Sequence, residues 1–96
     1  MTTCQLAIAC DLRPETPQTV LDRWSYAGYA GAQRWFGGAS LNVHCDVADD
    51  ELDVCFDLLE TLAPYSATDG FVGYLRVPWD LSPGLIYFRD GRVSLF

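Results

Sequence analysis

His44 is the single histidine of the chain, and it lies in the alternating run Ser40-Leu41-Asn42-Val43-His44-Cys45-Asp46-Val47. Residues two apart on an extended strand share a face, so Asn42, His44 and Asp46 project together, away from Leu41, Val43, Cys45 and Val47. An imidazole that titrates near neutrality beside a carboxylate or an amide is the least apparatus that acid–base chemistry needs. In that reading His44 is the acid or base, oriented by Asp46 or Asn42, which stand roughly 6–7 Å away between Cα atoms. Arg76 and Arg89, from the C-terminal strands, would hold a carboxylate, with Tyr74 beside them. Small Ala7 and Ala9 next to bulky Tyr, His and Arg predict a shallow polar depression suited to an anionic or aromatic small molecule.

The same residues have a plainer use. Antiparallel sheets commonly leave one face solvated, and polar side chains belong there. Tyr with Arg is also the composition favoured at the centre of interfaces, and isologous pairing of two such faces would bring His44 and Arg76 near a two-fold axis. We place a solvated face or a dimer interface ahead of catalysis.

A second cluster is the acidic row Asp50, Asp53, Asp57 and Glu60, on one flank of an expected helix that contains no basic residue. Like charges at this spacing weaken a helix by a few tenths of a kcal/mol per pair. The row is a candidate docking surface for a basic protein, against the simpler reading of a solvated flank. It lacks the histidine or glycine-bearing loop of a metal site, and no metal or cofactor is expected.

Four cysteines, Cys4, Cys10, Cys45 and Cys55, show no Cys-x-x-Cys spacing and no secretory context. Buried free thiols acting as small hydrophobes are the expectation. No Ser, Thr or Cys occupies a nucleophile elbow, and Gly37-Gly38 is too short for a phosphate loop. Trp24, Trp35 and Trp79 are expected to close the rim of the core.

The elements that position these residues follow from periodicity. Residues 3–12 alternate, with Cys4, Leu6, Ile8, Cys10 and Leu12 on one face and Gln5, Ala7, Ala9 and Asp11 on the other. Thr16 reads as an N-cap and Pro17 as the first position of a helix over 17–27, which ends in the glycines of 28–31. Residues 33–36 read as either a short strand or a 3₁₀ turn. Strand 40–47 follows, and then a helix capped by Asp49, with a buried stripe of Leu52, Cys55, Phe56, Leu59, Leu62 and Ala63 ended by Pro64. From Gly70 onward come three aromatic and β-branched runs, the last two joined by Asp90-Gly91, a pair suited to a type I′ hairpin turn. Here Tyr74 and Arg76 are expected opposite Phe71, Gly73 and Leu75, and Tyr87 and Arg89 opposite Ile86 and Phe88. The order β-α-(β)-β-α-β-β-β predicts an α+β domain, two helices on one face of a mostly antiparallel sheet, ferredoxin-like or a variant of it.

Ninety-six residues suit one domain over 1–96. Half are apolar and a fifth charged, which excludes a disordered chain. The net charge of −7 argues against nucleic acid as a partner, since such binding relies on basic groups displacing counterions. No apolar run reaches the roughly 18–20 residues of a membrane span, and no basic segment precedes an apolar one at the N-terminus, so a cytoplasmic location is expected. The charge is uneven: residues 44–69 hold eight acids and no arginine. All six bases are Arg, a usage that high-GC coding produces.

Cys10-Asp11-Leu12-Arg13-Pro14-Glu15-Thr16-Pro17, Leu62-Ala63-Pro64-Tyr65, Gly70-Phe71-Val72-Gly73-Tyr74 and Leu85-Ile86-Tyr87-Phe88-Arg89-Asp90-Gly91 together resemble a group of small bacterial proteins of actinomycete type. The resemblance covers both ends and the second helix, and departs in the middle, where those proteins carry a longer insert. It implies an intact bacterial domain and brings no activity, cofactor or catalytic residue with it. The expectation from the residues is a binding or regulatory module, not an enzyme, that engages a protein partner or forms a homodimer. The alternatives are a cofactor-independent enzyme or small-ligand domain using the His44/Arg76 face, and an immunity- or antitoxin-like neutraliser using the acidic row.

Overall fold

A computed structural model describes residues 3–26, 32–35 and 38–96. The strands are β1 (Thr3–Leu12), β2 (Ala32–Trp35), β3 (Gly38–Ala48), β4 (Gly70–Arg76), β5 (Gly84–Arg89) and β6 (Arg92–Leu95), and the helices are α1 (Gln18–Tyr26) and α2 (Leu52–Leu62). They form one six-stranded sheet in the order β2-β3-β1-β4-β5-β6, with every neighbouring pair antiparallel. The first four strands and two helices reproduce the split β-α-β arrangement of ferredoxin-like domains, and β5 and β6 extend it by a meander.

The alternation in the sequence determines which face is covered. On β1, Cys4, Leu6, Ile8, Cys10 and Leu12 are buried, and so are Leu41, Val43 and Val47 on β3. Val20, Leu21 and Trp24 of α1 and Cys55, Leu58, Leu59 and Leu62 of α2 close over them, with Ile86 and Phe88 completing the core from β5. Each Leu, Ile or Phe buried here contributes roughly 1.5–3 kcal/mol relative to exposure. A guanidinium clip joins the helices on the outside: Arg23 donates to the Asp57 carboxylate at 2.6 Å and to the Thr61 hydroxyl at 3.1 Å.

Asp90 and Gly91 have φ of 53° and 74°, the left-handed pair that a type I′ turn requires, and they fix β5 against β6 with Arg89 opposite Arg92. At the opposite end of the chain, Thr16 is buried and its hydroxyl donates to the Arg13 carbonyl at 2.6 Å, closing the turn from β1 into α1. The segment after α2 is pinned beside β1: the Arg13 amide donates to the Tyr65 carbonyl and the Ala67 amide to the Asp11 carbonyl, both at 2.8 Å.

Three local expectations are corrected, and the choice between strand and turn at 33–36 is resolved for its described part. Helix α2 starts at Leu52 after a 3₁₀ turn over Asp49–Glu51, and Asp49 is not its cap. Three successive acids resemble a first helical turn in sequence, but here they make the tighter one. Leu58 joins the buried stripe, while Leu52 and Phe56 are half-buried. Residues 33–35 resolve as strand, in β2. Most consequentially, β4 carries a bulge between Phe71 and Gly73. Val72 and Gly73 both occupy the covered side, so Phe71 turns to the open face and is 55% exposed. A Cβ on Gly73 would lie 1.9 Å from the Ala7 carbonyl oxygen, so the close approach of β4 to β1 depends on glycine there.

The expected helix end at Ala27, the glycines at 28–31, and Phe36 and Gly37 lie outside the described residues. No helix among the described residues is long and apolar enough to cross a membrane.

Candidate functional site: the open face of the sheet

The strand register sorts the uncovered side chains into rows. Ala7 lies opposite both His44 and Tyr74, Tyr74 opposite Leu85, and Leu85 exchanges backbone hydrogen bonds with Phe96. One row therefore reads His44, Ala7, Tyr74, Leu85, Phe96. The next runs Asn42 and Ala9 on β3 and β1, then Phe71, Tyr87 and Ser94 on β4, β5 and β6. Asp46, Gln5 and Arg76 make a row at one end, and Ser40 with Asp11, and Arg89 with Arg92, make the other.

Two strand spacings separate His44 from Tyr74, about 10 Å between Cα atoms, and only the methyl of Ala7 rises between them. The result is a slot. It belongs to a cavity of about 440 Å³ lined by Ala7, Ala9, Asn42, His44, Phe71 and Tyr74 together with Ile8, Val43, Val72 and Gly73. A smaller depression of about 200 Å³ continues it past Ala9 and Asn42 toward Asp11, Ser40 and Thr68.

Beside the slot stands a ridge. The rings of Phe71 and Tyr87 meet edge to face at 5.7 Å, and those of Tyr87 and Phe96 at 5.2 Å. The Arg89 guanidinium lies 5.0 Å from the centre of the Tyr87 ring. An edge-to-face pair contributes roughly 0.5–1.5 kcal/mol beyond its burial. Phe96 nevertheless stays 72% exposed.

Of the residues expected at a ligand site, Asn42, His44 and Tyr74 come together in the slot. Arg76 lies one row away and Arg89 is stacked on Tyr87, so neither lines it. Asp46 also lies a row from the slot, and among the described residues no hydrogen bond or ion pair joins His44 to it or to Asn42. Phe71 is the wall residue that strand alternation missed. The glycine two positions after it was the one available signal, since an isolated glycine in a strand often marks a bulge.

The other candidates are dispersed. In the acidic row, Asp50 belongs to the 3₁₀ turn and Asp57 is engaged by Arg23 from α1, which leaves Asp53 and Glu60 on the regular face of α2. The four cysteines are free. Burial pushes the Cys10 and Cys55 thiols up to about 12, and burial raises Cys4 and Cys45 as well, so they are poor nucleophiles. No group of His, Cys, Asp and Glu among the described residues gathers as a metal site. Trp24 is fully buried, but Trp79 corrects the expectation of a rim: it is 65% exposed on the loop between β4 and β5, near the exposed Leu81. A separate cavity of about 420 Å³ at the end of the sheet holds Arg13, Asp69 and Asp90, with no ion pair among them. No protein-family model, curated protein or solved structure matches the chain.

Proposed function

We propose that this chain is a non-catalytic binding module that engages a protein partner through the open face of its sheet, taking an aromatic side chain into the slot between His44 and Tyr74. The observation that carries this reading is the slot itself, one strand wide, floored by Ala7 and Ala9 and bordered by an oriented aromatic ridge. A merely solvated face would need neither the ridge nor the small floor, and aromatic anchors in small pockets dominate binding energies at interfaces. His44 serves as a wall and hydrogen-bonding edge, with Asn42 above it.

Catalysis has less support. Among the described residues no hydrogen bond joins His44 to an acid, and Arg76 and Arg89 do not line the slot. A charge-neutralising role for α2 is weakened by the Arg23–Asp57 ion pair, which interrupts the row.

The test uses the isotopically labelled chain titrated with short peptides that carry one central Phe, Tyr or Trp. Backbone amide shifts should concentrate at Ala7, Ala9, His44 and Tyr74 and vanish in Ala7→Trp, which fills the slot from its floor. Shifts scattered over the surface, or none, would sink the reading.

A further inference from the structure

We infer that the partner this face fits is a second copy of the same chain, seated face to face about a two-fold axis that runs parallel to the strands between β1 and β4. The inference rests on the slot reading above and names its occupant.

Shape is the first reason. The face is divided lengthwise into a low half, over β3 and β1, and a raised half, over β4, β5 and β6. The low half is Ala7 and Ala9 with the slot; the raised half is Phe71, Tyr74, Leu85, Tyr87 and Phe96. A rotation about the stated axis carries β1 onto β4 and β3 onto β5. Tyr74 of one copy then stands over Ala7 of the other, and Phe71 over Ala9. Each contact occurs twice, as isologous pairing demands.

Charge is the second reason, and it selects the axis. On the described strands of this face the acids Asp11 and Asp46 lie on β1 and β3, and the bases Arg76, Arg89 and Arg92 on β4, β5 and β6. The axis along the strands brings Asp46 within one strand of the other copy's Arg76, and Asp11 within one strand of its Arg89. A two-fold axis across the strands would instead return acids to the acidic half and arginines to the basic half. Within one copy Asp11, Asp46, Arg76 and Arg89 form no ion pair with one another, and Arg89 lies over the Tyr87 ring. Sheets packed face to face stand about 10 Å apart, a gap that arginine and tyrosine side chains span.

Area is consistent with a reversible dimer. Five strand spacings by four alternate positions give a face about 24 Å by about 20 Å, so two copies exclude on the order of 1,000 Å² of corrugated surface, the lower end for a specific interface.

The experiment is sedimentation velocity on the full chain from micromolar concentrations to about 0.5 mM, where even a Kd near 0.1 mM populates dimer. The native chain should pass from monomer to dimer. Ala7→Trp should weaken dimerisation at least tenfold, with an unchanged far-ultraviolet spectrum and denaturation midpoint as the check on folding. Asp46→Arg and Arg76→Asp should each weaken self-association several-fold, and an equimolar mixture of the two should form a heterodimer tighter than either alone. A dimer indifferent to all three variants, or a mixture no tighter than its components, overturns the face and axis. A monomer throughout overturns the second copy. In that case peptide-induced shifts at Ala7 and His44 preserve the slot as a binding site, and their absence removes that reading as well.

Discussion

The covered and open faces of this sheet are made by the same strands with opposite contents. On β1, Leu6 and Ile8 have lost nearly all contact with water, while Ala7 and Ala9, one residue away, carry the smallest side chains of their rows. On β5, Ile86 and Phe88 fill the core, while Tyr87 between them meets Phe71, Phe96 and Arg89 on the surface. The covered face is continuous, closed by two helices. The open face is uneven, low on one side and aromatic on the other. A core needs filled volume, and any combination of shapes that fills it will serve. An exposed face contributes less to folding, and its relief is the feature on which the proposed interface rests.

If that distinction holds, truncations on the two faces should separate sharply. Phe88→Ala, in the core, should cost about 3–5 kcal/mol by urea denaturation, whereas Phe71→Ala should cost less than about 1 kcal/mol. Comparable losses would merge the two faces into one stabilising unit.

Gly73 sits where the faces meet. Gly73→Ala should cost about 3 kcal/mol, because the added methyl meets backbone that has no room to give. An unchanged denaturation midpoint would mean that β4 can part from β1 without loss.

Thiol ionisation probes the covered face alone. Burial pushes the Cys10 and Cys55 thiols up to about 12, from the 9.0 of an exposed thiol. The folded protein therefore holds protons that the unfolded chain has released. The stability this contributes is complete below about pH 9 and is lost as the pH rises toward about 12. Comparing the native chain with C10A/C55A between pH 8 and pH 11 isolates the effect, since the tyrosines are common to both. Parallel pH profiles would show the thiols to be accessible.

The smallest effect should come from the helix clip. Arg23 and Asp57 are about half exposed, so Asp57→Asn should change stability by less than about 1 kcal/mol, and less still in high salt. A larger loss would give the outer surface of the helices a structural part that the covered face is taken to supply by itself.

Legibility followed the same division. The alternation of β1 and β3 is readable because a strand covered on one side must repeat every two residues, and Asp90-Gly91 is readable because few other dipeptides accept two positive φ angles. The slot floor was readable too, from Ala7 and Ala9 lying on the polar side of their strand. Phe71 was not, since a bulge adds a residue without altering composition, and Val72 looks equally well placed on either side. The partner of Asp57 lies 34 residues away in α1, a contact that no local pattern encodes. The turn at Asp49–Glu51 was hidden for another reason: acids suit the start of an α-helix and of a 3₁₀ helix alike.

The extra residue in β4 makes that strand change phase partway along. Before Val72 the reading frame of inside and outside runs one way, and after it the other, while the connections at both ends stay fixed. Removing one residue there would therefore leave Tyr74 and Arg76 in place and send Phe71 toward the helices, where a large ring has no vacancy. Adding one elsewhere in the strand would exile Leu75 to the surface. In evolutionary terms, β4 should tolerate changes of side chain at its exposed positions far better than changes of length.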